Sequence, residues 1–208
     1  FGLPLPHVDM GSLPFDILDV FTTEHPMSGN QLLVVKDAEN VLSDGQMLQI
    51  AQEIGFAETA FVRKEDVRIF TTDQEVPQAG HPVLGLAEVV SEGRDAVTLV
   101  TQLGPVQVRK HEDRWVMTQN PCEWHPGLPE EQLRGAATAE VCPPAGGEFP
   151  VGATCGLPYV LVPVPTAEAL EAAVVTGTSP LPHDCSIYFY TPAAPDGAVR
   201  TRMFCWEQ

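Results

Sequence analysis

One stretch, Gly55 to Glu92, limits the folds open to this chain more than any other. It reads GFAETAFVRKEDVRIFTTDQEVPQAGHPVLGLAEVVSE. Two short β-like runs, Ala60–Val62 and Val67–Thr71, lead into a Gly-His-Pro entry to a helix. Pro82 falls in the first turn, where its missing N–H costs nothing. Leu84, Ala87 and Val90 with Val89 make an apolar face at helical spacing, and Gly93 is the expected stop. The helix start therefore turns free N–H groups and a positive dipole end outward at Gly80-His81, a ready anion site. Glu58 stands just before the first run. If the runs pair, Glu58 and His81 share one end of the sheet, and a carboxylate beside an anion-binding helix start suits proton transfer on a carboxylate-bearing substrate.

A glutamate before a strand, taken alone, reads as a solvated end residue, and a histidine at a helix start as a structural one. The whole string singles them out. Ala57-Glu58-Thr59-Ala60-Phe61, Arg68-Ile69-Phe70-Thr71-Thr72, Glu75 and Ala79-Gly80-His81-Pro82-Val83-Leu84-Gly85-Leu86-Ala87 follow in fixed order and spacing. This resembles the PhzF-like family, named for the phenazine-biosynthesis isomerase. The resemblance extends to Asp19-Val20-Phe21-Thr22 with Gly29-Asn30 near the start. It continues through the Gly156-Leu157-Pro158-Tyr159, Ile187-Tyr188-Phe189-Tyr190 and Val199-Arg200-Thr201-Arg202-Met203-Phe204 strands near the end, so it covers nearly everything after Leu13.

The remaining chain reads as follows. Residues 1–12 lack periodicity and are expected to be a disordered leader or expression remnant. Pro14–Phe21 and Leu32–Val35 read as strands joined by a Met27–Asn30 turn. Ser43 with Gln46 forms a capping box, and Met47, Ile50, Ala51 and Ile54 give an amphipathic helix ending at Gly55. Val97–Leu103, Val106–Arg109 and Trp115–Thr118 read as an antiparallel meander. Turn residues from Asn120 to Pro150 place Trp124 and His125 in a loop and a domain boundary near Pro121. The lobes are thus expected at 13–121 and 122–208, the second incomplete as it stands. A strand at Cys155–Val164, a helix capped by Thr166 over Ala167–Val175, and strands at Ser186–Tyr190 and Val199–Phe204 follow.

At 208 residues with 44% hydrophobic content the chain has length for real cores, and no apolar run approaches membrane-spanning length. A net charge of −17 argues against nucleic acid or an anionic membrane as partner. Cys122, Cys142, Cys155, Cys185 and Cys205 contain no Cys-x-x-Cys pair and read as reduced cytosolic thiols, none catalytic. No metal, nucleotide or flavin signature is present.

The resemblance implies a diaminopimelate-epimerase-like α+β fold: two pseudo-symmetric lobes, each a curved, mostly antiparallel sheet around a central helix. It implies a cofactor-independent, cytoplasmic, homodimeric isomerase of secondary metabolism. Glu58 would serve as general base and acid on a small unsaturated carboxylate-bearing molecule, expected to be a cyclic amino acid, with His81, Gly80, Asn30 and Ala57 in substrate binding. Some positions depart from the pattern. Gln78 stands where Phe is usual, Ala57 where Ser is usual, and Val83 and Leu86 where Thr is usual, which points to a different substrate. Ala79 occupies the place of the first catalytic Cys of diaminopimelate epimerases, which weighs against an epimerase or racemase. A non-catalytic binding or scaffold homologue is the third reading.

Overall fold

A computed structural model describes residues 12–23, 25–119, 121–126, 131, 133, 137–142, 151–154, 158–175 and 186–204. The leader, the Pro- and Gly-rich segment 143–150, Cys155, Cys185, Cys205 and Trp206–Gln208 lie outside them. The chain divides into two compact units, Phe1–Thr118 and Gln119–Gln208. Among the described residues, no helix is long and apolar enough to cross a membrane.

In the first unit β1 (Phe15–Val20), β2 (Asn30–Asp37), β3 (Glu58–Arg63), β4 (Val67–Phe70) and β5 (Glu75–Val76) form one sheet in that order. All neighbours are antiparallel except β2 and β3, which run parallel across the crossover helix α1 (Asp44–Ile54). The capping box at α1 forms as expected, with Ser43 accepting from Gln46 N–H, and Gly55 closes the helix at φ 69°. A second sheet holds β6 (Ala96–Thr101), β7 (Gly104–His111) and β8 (Arg114–Met117) as an antiparallel meander.

The strand period of two sorts the core. Leu33, Val35, Phe61 and Phe70 point to one face of the first sheet and pack on Leu42, Met47 and Ala51 around α1. Leu32 and Val34 therefore point to the other face, where helix α2 (Gly80–Ser91) lies against β1, β2, β3, β6 and β8. Enclosed by both sheets, α2 buries Val83, Gly85, Leu86 and Ala87, so the buried face is turned from the stripe expected from spacing: of Leu84, Ala87, Val89 and Val90 only Ala87 is buried, and the other three are half-buried. A Cβ on Gly85 would lie 2.5 Å from Leu32 and 3.1 Å from Val20 side-chain atoms, which shows how closely α2 meets the sheet. The helix ends at Ser91, with Glu92 and then Gly93 in the left-handed region.

Arg68, Phe70 and Glu75 of the motif do structural work. The Arg68 guanidinium pairs with Glu75 through two nitrogens, reaches Asp44 at 2.5 Å at the start of α1, and lies 5.3 Å from the Phe70 ring centre. It ties α1 to β4 and β5.

The second unit repeats this order. β11 (Val151–Thr154) pairs antiparallel with β12 (Pro158–Pro163), β12 runs parallel to β14 (Ser186–Tyr190) across helix α3 (Ala167–Ala172), and β14 pairs antiparallel with β15 (Thr201–Phe204). β9 (Glu123–Pro126) adds to β11, and β10 (Ala137–Thr138) pairs with β13 (Val174–Val175). Val160, Val162, Ile187 and Phe189 pack on Leu170 and Ala173 as this unit's core. Two expectations are corrected. Trp124 and His125 lie on a strand, because β11 offers them a ladder that no local alternation announced. The helix after Thr166 stops at Ala172, since Val174 and Val175 are taken into a strand pair; their β-branched side chains favour that exchange.

Gly29 explains how β2 begins where it does. A Cβ there would lie 2.2 Å from the carbonyl oxygen of Val20 and 2.8 Å from Asp19 Oδ1, so the turn can approach β1 only without a side chain. Gly29→Ala must push the backbone apart and is expected to cost about 1–3 kcal/mol. Thermal unfolding would show it, and an unchanged midpoint would contradict the close approach.

Candidate active site

The register of the first sheet places the site. Glu58 opens β3 directly opposite Leu32, so its side chain takes the Leu32 face, toward α2. Asn30 lies two residues before Leu32 on β2 and shares that face. His81 is the second residue of α2, whose start carries no side-chain cap. The three meet. Glu58 Oε2 lies 3.3 Å from His81 Nδ1, and the Asn30 amide nitrogen lies 3.4 Å from the same atom. Their side chains are only 17% exposed for Glu58 and 7% for His81.

The Glu58–His81 contact lacks hydrogen-bond geometry. Glu58 Oε2 and His81 Nε2 are both buried with no hydrogen-bond partner. Unpaired buried polar atoms at one spot mark groups held ready for something that the folded chain does not itself supply. Gly80 is the first residue of α2. A Cβ on it would lie 3.6 Å from Met117 Cε, an ordinary contact, so packing against the described residues does not demand a glycine there. Its bare backbone leaves the N–H groups of an uncapped helix start open to an anion. Ala57 is exposed, one residue ahead of β3. Gln78, just before the helix, is buried and bonded to Thr101 Oγ1 at 3.2 Å. Among the described residues, no group of three or more His, Cys, Asp or Glu side chains is placed to hold a metal ion. Cys142 is an exposed free thiol.

Burial sets the titration of both groups. It pushes the Glu58 carboxyl from its ordinary 4.5 up to about 7. It holds His81 below its ordinary value, with a backbone hydrogen bond to Gln31 working the other way. At neutral pH the imidazole is uncharged, and Glu58 stands balanced between acid and base.

Stability follows with a definite sign. Glu58 binds its proton more tightly when folded, so its contribution is fully present below pH 4.5 and is lost as the pH rises through about 7. The whole loss is about 3 kcal/mol at 1.36 kcal/mol per pH unit. His81, with its folded value lowered, contributes stability above its ordinary 6.5 that is lost as the pH falls. Unfolding free energies measured between pH 5 and 8 on wild type and Glu58→Gln should show the decline in the first and its absence in the second. Parallel curves would mean that Glu58 is not desolvated.

Asn30, Gln31 and Met117 reach the site from strands far along the chain. For Asn30, the family pattern pointed there, while Gly-Asn by itself read as turn chemistry. Gln31 and Met117 carried no sequence signal, because only the fold brings them near.

A family model described as PhzC-PhzF, phenazine biosynthesis-like protein, matches residues 18–206. An uncharacterized isomerase from Mesorhizobium japonicum is 36% identical over 172 residues, covering 74% of this chain and 56% of that protein. The trans-2,3-dihydro-3-hydroxyanthranilate isomerase of Pseudomonas chlororaphis is 40% identical over 98 residues, covering 43% of this chain and 34% of that protein. The chain thus spans less than two thirds of the length of either relative. The PhzF-family phenazine biosynthesis protein of Bacillus anthracis superposes with a TM-score of 0.67 at 20% identity, over 92% of this chain and 71% of that one. That likeness shows the α+β fold expected from the sequence. With nearly its whole length matched by the family model, the chain belongs to the PhzC-PhzF family of phenazine biosynthesis-like proteins.

Proposed function

We propose that this protein is a cofactor-independent isomerase that shifts a proton, and with it a double bond, along a small unsaturated molecule bearing a carboxylate. The observation that carries the reading is the pairing of a desolvated Glu58, raised to about 7, with a buried His81 3.3 Å away at an uncapped helix start. Glu58 as carboxylate takes a proton from one carbon, and the electron pair moves into the unsaturated system. As carboxylic acid it returns the proton to a second carbon, so the substrate is rearranged and Glu58 is regenerated. The N–H groups at Gly80 and His81 hold an anionic oxygen of the substrate. Asn30 steadies the His81 ring, and Ala57 leaves room beside Glu58.

Relatives named as isomerases support the reading, one of them acting on a dihydro-hydroxyanthranilate by its name. Where the family has an aromatic wall, this chain has Gln78, so the substrate is an unsaturated cyclic amino acid of different substitution. The working form is a cytoplasmic homodimer.

The test is incubation in deuterated water with trans-2,3-dihydro-3-hydroxyanthranilate and a panel of unsaturated cyclic amino acids, followed by NMR. A moved double bond with one solvent deuteron at the newly saturated carbon supports the proposal. Inversion of a stereocentre without double-bond movement would assign an epimerase instead, and absence of any exchange would leave a binding protein.

A further inference from the structure

Beside the start of α2 stands one side chain to which the proton transfer gives no task. Outside its own helix and its chain neighbours, a Cβ on Gly80 would meet one described heavy atom within 4 Å, Met117 Cε at 3.6 Å. Gly80 and Met117 are both half-buried, so each keeps surface open to solvent. Register puts Met117 there. It lies opposite the buried Val108 and therefore takes the inner face of the meander, toward α2. Trp115, two residues earlier, shares that face and donates its indole N–H to Glu88 of α2 at 2.6 Å. Lys110 reaches the same Glu88 oxygen at 3.7 Å and lies 5.1 Å from the Trp115 ring centre. This clamp holds β8 on α2 about two turns beyond Gly80. The strand is fixed, while the unbranched thioether of Met117 can still adjust its methyl. The helix start beside it is more than a dipole end. Glu58 Oε2 and His81 Nε2 are buried there with no hydrogen-bond partner, and the His81 side chain is 7% exposed.

We infer that Met117 is a specificity-determining residue, an apolar wall beside the N–H groups of Gly80 and His81 that selects a carboxylate flanked by the apolar edge of an unsaturated ring. A thioether makes favourable contacts with a π system and follows its outline. A charged or hydrogen-bonding flank would give up water against a side chain that returns nothing. Gly80 keeps the slot open, because the volume its missing side chain would fill is the volume the ring edge takes. The amino or hydroxyl substituents of the substrate then lie on the edge turned away from Met117. The inference rests on the proposed function for the identity of the site, and it adds which flank of the substrate is apolar and what reads it.

The wall can be read in the native protein without turnover. Hydrogen peroxide converts accessible methionines to sulfoxides, and peptide mass spectrometry follows each residue separately. The chain carries its own references, since Met27 is 83% exposed, Met203 is 48% exposed and Met47 is fully buried. Saturating cyclohex-1-ene-1-carboxylate should slow oxidation of Met117 and leave Met27 and Met203 unchanged. Acetate, a carboxylate without a ring, should leave Met117 as in the free protein. In calorimetric titrations Met117→Ala should bind the ring acid about 10-fold more weakly, the scale of a lost apolar contact in a pocket. Met117→Leu keeps the apolar flank and should keep the affinity. Gly80→Ala, whose methyl fills the slot, should lose the ring acid. Met117 oxidised at its free rate in the saturated protein, or resistant to peroxide in the free one, overturns the inference. So does native affinity for the ring acid in Met117→Ala. The footprint needs no variant, so a misfolded Met117→Ala leaves the test intact. These results leave the role of Glu58 standing, because none of them reads proton transfer. Failure of the ring acid to bind at all overturns the inference together with the helix-start anion site. A Glu58→Gln variant with native turnover would remove the role of Glu58 while leaving the protection of Met117 as measured.

Discussion

Glu58→Gln is expected to lower turnover about 10²–10⁴-fold, the usual contribution of a general acid–base group. The amide matches the carboxylate in size but accepts no proton. Substrate affinity should change little, because the helix-start N–H groups at Gly80 and His81 are untouched. Glu58→Asp should fall between the two, since losing one methylene moves the carboxylate by roughly 1 Å, enough by itself to cost much of the rate. The variant should not be a folding mutant. At neutral and alkaline pH, replacing a desolvated charge by a neutral amide relieves an unfavourable burial, so thermal stability should hold or rise. Native turnover and deuterium incorporation in Glu58→Gln would make Glu58 a strand-end residue and place the proton transfer on another group.

The largest expected stability effect lies three residues further along the same strand. Phe61 is fully buried, stacks edge-on against Phe70 with ring centres 5.6 Å apart, and packs among Leu33, Val35, Met47 and Ala51. Phe61→Ala removes the ring and leaves a cavity between the sheet and α1, at an expected cost of about 3–5 kcal/mol. Phe61→Leu keeps most of the apolar volume and should cost less. Because Phe61 anchors β3 from the α1 face, its loss also loosens Glu58 on the opposite face. Two compact units need not unfold together, so hydrogen exchange of the β3 amides is a better readout than a single global midpoint. Unchanged β3 protection in Phe61→Ala would mean that the strand is held from elsewhere.

Local chemistry made much of this fold readable. Ser43 and Gln46 announce α1 because a capping box satisfies two backbone donors at once, and Gly55 ends it because glycine tolerates the left-handed turn. Gly80-His81-Pro82 announces α2 for similar local reasons. The structure brings Glu58, His81 and Asn30 together, and Gly80 opens the helix beside them. Other parts needed partners that no local window contains. β2 and β3 run parallel, which is decided by the crossover through α1. β9 exists because β11 is beside it, and its Trp124-His125 pair has no alternation of its own. The burial of α2 on several sides reflects two sheets that close over it from either side in sequence. Asn30 and His81 are 51 residues apart, so neither spacing nor propensity foretold the 3.4 Å contact that centres attention on Nδ1.

The central claim is that burial at the start of α2 makes Glu58 a base balanced near neutral pH. Carboxyl ¹³C NMR of glutamate-labelled protein measures this directly, with Glu58 identified as the resonance missing from Glu58→Gln. The account predicts a titration near pH 7, far from the ordinary 4.5. A Glu58 carboxyl that titrates near 4.5 would contradict it.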